Sequence, residues 1–172
     1  MKLFGLAGWS GSGKTTLLVR LLPALIGHGL TVSTVKHAHH DFDTDRPGKD
    51  SYEHRAAGAA EVLVSSARRW ALVHEHRGAP EPVLAQLVAR LSPVDLVLVE
   101  GFKSHPHDKL EVHRRESGQP FLYEKDPRVV AIATDHALHG LPIPVFALDN
   151  VEAIARFIVR HCGLDGAAAG RP

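Results

Sequence analysis

A three-layer α/β domain with a mostly parallel sheet is the fold this sequence predicts, on three observations. Strand-like and helix-like periodicities alternate along the chain. The run VDLVLVEGF, residues 94 to 102, is continuously apolar, as in a parallel strand covered on both faces. A glycine-rich turn, GWSGSGKT, stands between an apolar opening and a leucine-rich run. The 172 residues, 44% hydrophobic and 23% charged, suit one domain with a substantial core. We read residues 1–163 as that domain and 164–172 as a small, flexible tail.

KLFGLA forms the first strand, and Leu17, Leu18, Leu21, Leu22 and Leu25 place a helix from Lys14 to about His28, with Pro23 tightening or kinking it. LTVSTVK, residues 30 to 36, is the second strand. Residues 37 to 50, HAHHDFDTDRPGKD, read as a polar loop, and a short helix over 51 to 57 ends at Gly58. EVLVSS and RWALVHE follow as strands. Val83, Leu84, Leu87, Val88 and Leu91 give an amphipathic helix with Pro82 in its first turn. VDLVLVEGF is the central strand, with Asp95 at its start in a turn contact. KLEVHR reads as a candidate edge strand, RVVAIATD as a buried one, and IPVFALD as the last. Asp149 and Glu152 open a final helix near Asn150 in the manner of a capping box. Its apolar face includes Cys162, which we read as a core residue rather than a nucleophile.

A net charge of +1 gives no general reason to expect nucleic acid or an acidic membrane as partner. One cysteine excludes an internal disulfide and fits a reducing cytoplasm. The strand-like opening predicts no signal peptide, and no apolar run is long enough to span a bilayer.

Gly8 through Thr15 reads G-x-x-x-x-G-K-T, the phosphate-binding P-loop, in the strand-loop-helix setting its mechanism requires. Backbone N–H groups can all turn onto a polyphosphate only where side chains do not obstruct them, and the helix N-terminus adds its partial positive charge. Gly8, Gly11, Ser12 and Gly13 are therefore nucleotide-binding positions. Lys14 reaches the β- and γ-phosphates, the Thr15 hydroxyl ligates Mg2+, and Thr16 adds a contact to the α-phosphate. Glu100, at the end of the central strand, takes the place of the usual Walker-B Asp as the partner acid for the metal.

The loop after the second strand admits two readings. His37, His39 and His40 beside Asp41, Asp43 and Asp45 have the composition of a transition-metal site. The same loop stands where P-loop proteins keep a nucleotide-sensing switch, with Asp43 a candidate second acid on the Mg2+ side and Lys49 part of a second anion cradle. For the base, no N-K-x-D string occurs; Asp135 in ATD could accept from guanine N1–H and N2–H2, but ATP and GTP stay nearly even on chemistry alone.

Taken in order, AGWSGSGKTTLL, VKHAHHDFDTDRPGKDSYEHRAAGA, RWAL, DLVLVEGFK and ATD closely resemble the molybdopterin-guanine dinucleotide biosynthesis adapter family, MobB, across about residues 3 to 162. The resemblance implies a P-loop NTPase fold, a homodimer, and binding of GTP with Mg2+. It implies weak hydrolysis and association with the MobA-type guanylyltransferase that joins GMP to molybdopterin, with molybdopterin a further candidate ligand. It strengthens Asp135 as guanine reader, turns Lys103 and Lys109 toward the ligand, and makes Arg46 or Arg55 candidates to reach a partner protomer's site. A P-loop small-molecule kinase, with a lid between 103 and 128, and a metallochaperone GTPase using the histidine loop remain the alternatives.

Overall fold

The computed structural model describes residues 1–38 and 42–166. They form two compact units, Met1–His37 with Leu84–Pro172 and Ala38–Val83.

The larger unit holds a six-stranded parallel sheet in the order β2-β5-β1-β6-β7-β8. Its strands are β1 (Lys2–Ala7), β2 (Val32–Lys36), β5 (Leu96–Glu100), β6 (Lys109–His113), β7 (Val129–Thr134) and β8 (Val145–Ala147). Period-two alternation sends Leu96 and Leu98 to one face of β5 and Val97 and Val99 to the other. The first face packs with Phe4, Leu6, Leu110 and Val112 against α1 (Lys14–Gly27) and α4 (Val151–His161). The second packs on Leu84 and Val88 of α3 (Leu84–Val88). Helices on both faces give the expected three layers.

Several elements match the sequence reading closely. Helix α1 runs unbroken through Pro23, which is exposed, and buries Leu17, Leu18, Leu21 and Leu25. Asp95 accepts from the backbone N–H and hydroxyl of Thr31 at 2.7 and 2.8 Å, fixing the start of β5. Cys162 is buried, and burial raises its thiol to a pKa of about 11, as expected for a core residue. Helix α4 is capped one residue later than expected: Asn150, not Asp149, accepts from the N–H of Ala153. Helix α3 is shorter than its apolar spacing suggested, with Pro82 and an exposed Val83 outside it.

Strand β6 corrects the sequence reading. It is central, paired with both β1 and β7, and all five of its residues are buried. Its alternate polar side chains fasten the loops that cover that face. Lys109 Nζ donates to the carbonyls of Lys103 and His105 and to Asp126 Oδ2 at 3.2, 3.0 and 2.8 Å. The Glu111 carboxylate accepts from the N–H groups of Leu122 and Tyr123. His113 stacks on Phe121 with centroids 4.0 Å apart, its Nε2 3.0 Å from the Gln119 carbonyl oxygen. Alternation thus arose from partnered interior charge, which sequence periodicity cannot tell from a solvated edge.

The smaller unit consists of α2 (Asp50–Ala56) and an antiparallel hairpin, β3 (Glu61–Ser65) and β4 (Trp70–His74), which form a separate sheet. Its polar centre is Arg55, whose guanidinium holds both Asp43 oxygens at 2.8 and 2.9 Å and Glu75 at 2.8 Å. Leu63, Trp70 and Leu72 lie on one face of the hairpin and are exposed. Among the described residues, no helix is long and apolar enough to cross a membrane.

Candidate functional site

The segment Gly8–Gly13 links the end of β1 to the start of α1, and three of its glycines have positive φ: Gly8 at 147°, Gly11 at 75° and Gly13 at 94°. Gly8 also lies close to a neighbour: an added Cβ would fall 2.4 Å from the Val112 carbonyl oxygen. Space as well as backbone freedom therefore calls for glycine there. Lys14 folds across the loop and donates to the carbonyls of Gly8 and Trp9 at 3.1 and 2.8 Å. Burial, then the nearby ammonium of Lys103, hold Lys14 below the ordinary lysine pKa. The Ser12 side chain is buried with its Oγ unpartnered in the structure, inside the loop whose chemistry calls for anion contacts.

Because β5 is the parallel neighbour of β1, Glu100 emerges beside the loop. The Thr15 hydroxyl donates to Glu100 Oε1 at 2.6 Å. These are hard oxygen donors of the sort Mg2+ takes, on a flank lined by cations. Lys36, at the end of β2, lies 3.7 Å from the same oxygen and is a site residue that sequence reasoning missed. No local signal marked it: β2 and β5 are parallel neighbours, and that strand order alone sets their last residues side by side.

The turn after Glu100 is strained. Gly101 and Phe102 both have positive φ, 96° and 48°, and a Cβ on Gly101 would fall 2.8 Å from that of His37. The turn brings Lys103 over the Trp9 indole, 4.8 Å from its centroid, while Trp9 Nε1 donates to the Pro120 carbonyl. Lys103 thus stands beside the loop that carries Trp9, whereas Lys109, which the sequence reading turned toward a ligand, is 1% exposed and held by Asp126. The ring of His37 packs on Phe102, centroids 4.7 Å apart, and the His37 backbone N–H donates to the Glu100 carbonyl.

On the other flank, Gly13, Thr16, Arg114, Thr134, Asp135 and Phe146 help line a cleft of about 740 Å³. Its size suits a nucleoside. Asp135 Oδ1 accepts from the N–H of Arg115 at 3.0 Å. That bond, followed by His136, holds the carboxyl below the usual aspartate pKa, so it is an acceptor at neutral pH.

His39 and His40 lie outside the described residues, and among the described ones no three histidine, cysteine or acidic side chains group as a metal site. Asp43 and Lys49 belong to the smaller unit. The Asp43 carboxylate is engaged by Arg55, so the candidate second acid is already an ion-pair partner and the candidate trans-acting arginine is tied within its own unit. Lys49 is exposed just before α2.

The sequence matches MobB, described as molybdopterin guanine dinucleotide synthesis protein B, over residues 3–135. The molybdopterin-guanine dinucleotide biosynthesis adapter protein of Escherichia coli (strain K12) is 44% identical over 160 residues, covering 91% of each chain. The protein of that name from Haemophilus influenzae is 42% identical over 91% of this chain and 86% of its own. The crystal structure of Bacillus subtilis MobB superimposes with a TM-score of 0.75 at 26% identity, covering 94% of this chain and 98% of that one. The MobB homolog from Bacillus stearothermophilus gives 0.72 at 26%, covering 95% and 99%. With its three-layer α/β architecture and these relatives over most of its length, the chain belongs to the MobB family of molybdopterin guanine dinucleotide synthesis proteins.

Proposed function

We propose that this protein binds Mg2+-GTP between the phosphate loop and the Asp135 cleft and serves as a nucleotide-dependent adapter in molybdopterin guanine dinucleotide synthesis. Its partner would be the guanylyltransferase that joins GMP to molybdopterin. The observation that carries the reading is the 2.6 Å contact of Thr15 with Glu100, at a P-loop that opens onto a nucleoside-sized cleft. The names of the relatives supply the pathway.

Backbone N–H groups of residues 11 to 16 would hold the phosphates, and Lys14 would leave the carbonyls of Gly8 and Trp9 for the β- and γ-oxygens. Thr15 and Glu100 would hold Mg2+, which supplies charge neutralisation at the triphosphate. Lys36 and Lys103 add positive charge on the γ side. Turnover should be slow, since Arg55 is occupied by Asp43 and Glu75 and the sequence shows no obvious water-positioning glutamine. Residues 103 to 128, where a kinase would need a mobile lid, are instead fastened to β6 by Lys109, Glu111 and His113. That favours the adapter over the kinase.

The uncovered apolar face of the β3–β4 hairpin supports a homodimer, because a two-stranded sheet with exposed Leu63, Trp70 and Leu72 gains most by covering that face. The adapter reading is tested by reconstitution with purified guanylyltransferase, molybdopterin and Mg2+-GTP. Adding the chain should raise the rate of dinucleotide formation, and its Lys14→Ala form should not. An unchanged rate with the unaltered chain would remove the adapter role.

A further inference from the structure

Arg114 belongs to no motif, yet the topology carries it to the junction of the two halves of the cleft. It follows β6, whose neighbours are β1 and β7, so it leaves the sheet between the phosphate loop that follows β1 and the Asp135 turn that follows β7. Its Nε–H donates to the Ser12 carbonyl at 3.2 Å, and its guanidinium lies 3.3 Å from where a Gly13 Cβ would stand. Another nitrogen of the same fork stands 3.6 Å from Asp135 Oδ2, while the N–H of the next residue, Arg115, is bonded to Oδ1. The aspartate is thus held from two sides. At 3.6 Å, however, Oδ2 is ion-paired without being hydrogen-bonded, so it keeps acceptor capacity for a ligand.

We propose that Arg114 is a positioning residue for base recognition: it ties the phosphate loop to Asp135 and turns Oδ2 toward the donors of a bound guanine. The inference rests on the reading of this cleft as a guanine site. Guanine offers adjacent donors at N1–H and N2–H2 to a carboxylate, whereas adenine offers an acceptor at N1, which a carboxylate repels. A bond to the loop carbonyl on one arm and an ion pair to the aspartate on the other need a planar fork. A lysine ammonium, a compact point charge, cannot reproduce that arrangement.

The test is equilibrium binding of GDP, ADP and IDP, which lacks the 2-amino group, to the unaltered protein, Arg114→Ala, Arg114→Lys, Asp135→Ala and the Arg114→Ala/Asp135→Ala pair. Tripolyphosphate serves as a probe of the loop alone, and thermal melting checks folding. Both Arg114 variants should lose about tenfold or more of the preference for GDP over ADP and IDP, with a smaller change in tripolyphosphate affinity. The double variant should discriminate no worse than Asp135→Ala, because both changes remove one interaction. Folded Arg114 variants that retain the unaltered preference, or losses that add in the double variant, would overturn the inference while leaving the guanine site in place. An unaltered protein that does not prefer GDP would overturn both.

Discussion

Lys14→Ala is expected to weaken Mg2+-GTP binding by about a hundredfold or more, because in the proposed site this lysine would move onto the β- and γ-phosphates. The structure explains why the loss should be large and confined to binding. Among the described residues, the Lys14 ammonium bonds to carbonyls of its own loop, so its removal breaks no hydrogen bond to a distant element there. Its ammonium is already disfavoured by burial and by Lys103, and a bound anion would relieve that strain. Calorimetric titration reads the affinity, and a melting temperature close to that of the unaltered protein separates this loss from unfolding. Retained affinity would mean that the phosphates lie elsewhere.

Lys109→Met should act the other way round, through the fold. The lysine is 1% exposed and satisfies two loop carbonyls and Asp126 together. Burial alone would push the Asp126 carboxyl up, but the bond from Lys109 helps hold it below the usual aspartate value. Removing the cation strands that carboxylate and should cost about 3 kcal/mol, the low end for breaking a buried pair, since Asp126 keeps part of its surface in water. The carbonyl of Lys103 loses its tether as well, so Lys103 should be presented less well to the phosphate loop. Denaturant unfolding checks the stability loss. A weaker Mg2+-GTP affinity in the still-folded variant checks the tether. Unchanged unfolding would show that Lys109 is not the fastener it is taken to be.

The parts of this molecule legible in the sequence are those whose local chemistry has few alternatives. The turn between β1 and α1 reads directly because glycine suits its positive-φ positions, and the end of β5 reads because four aliphatic residues run into a single acid. β6 misled because Lys109, Glu111 and His113 recur at a spacing of two, as solvated side chains do, and their partners lie in loops distant in sequence. The pairing of Asp43 with Arg55, twelve residues later, was not legible because composition does not show which cation holds which acid. Lys36 and Arg114 join the site only through strand order, which places the ends of β2 and β6 beside those of β5 and β1.

The measurement that bears most directly on the proposed function is parallel titration of the unaltered protein with Mg2+-GTP and Mg2+-ATP. GTP should bind at least about tenfold more tightly, the margin that charge-assisted hydrogen bonds from guanine to Asp135 would supply. Equal affinity, or a preference for ATP, would contradict the guanine site and the GTP-dependent adapter built on it.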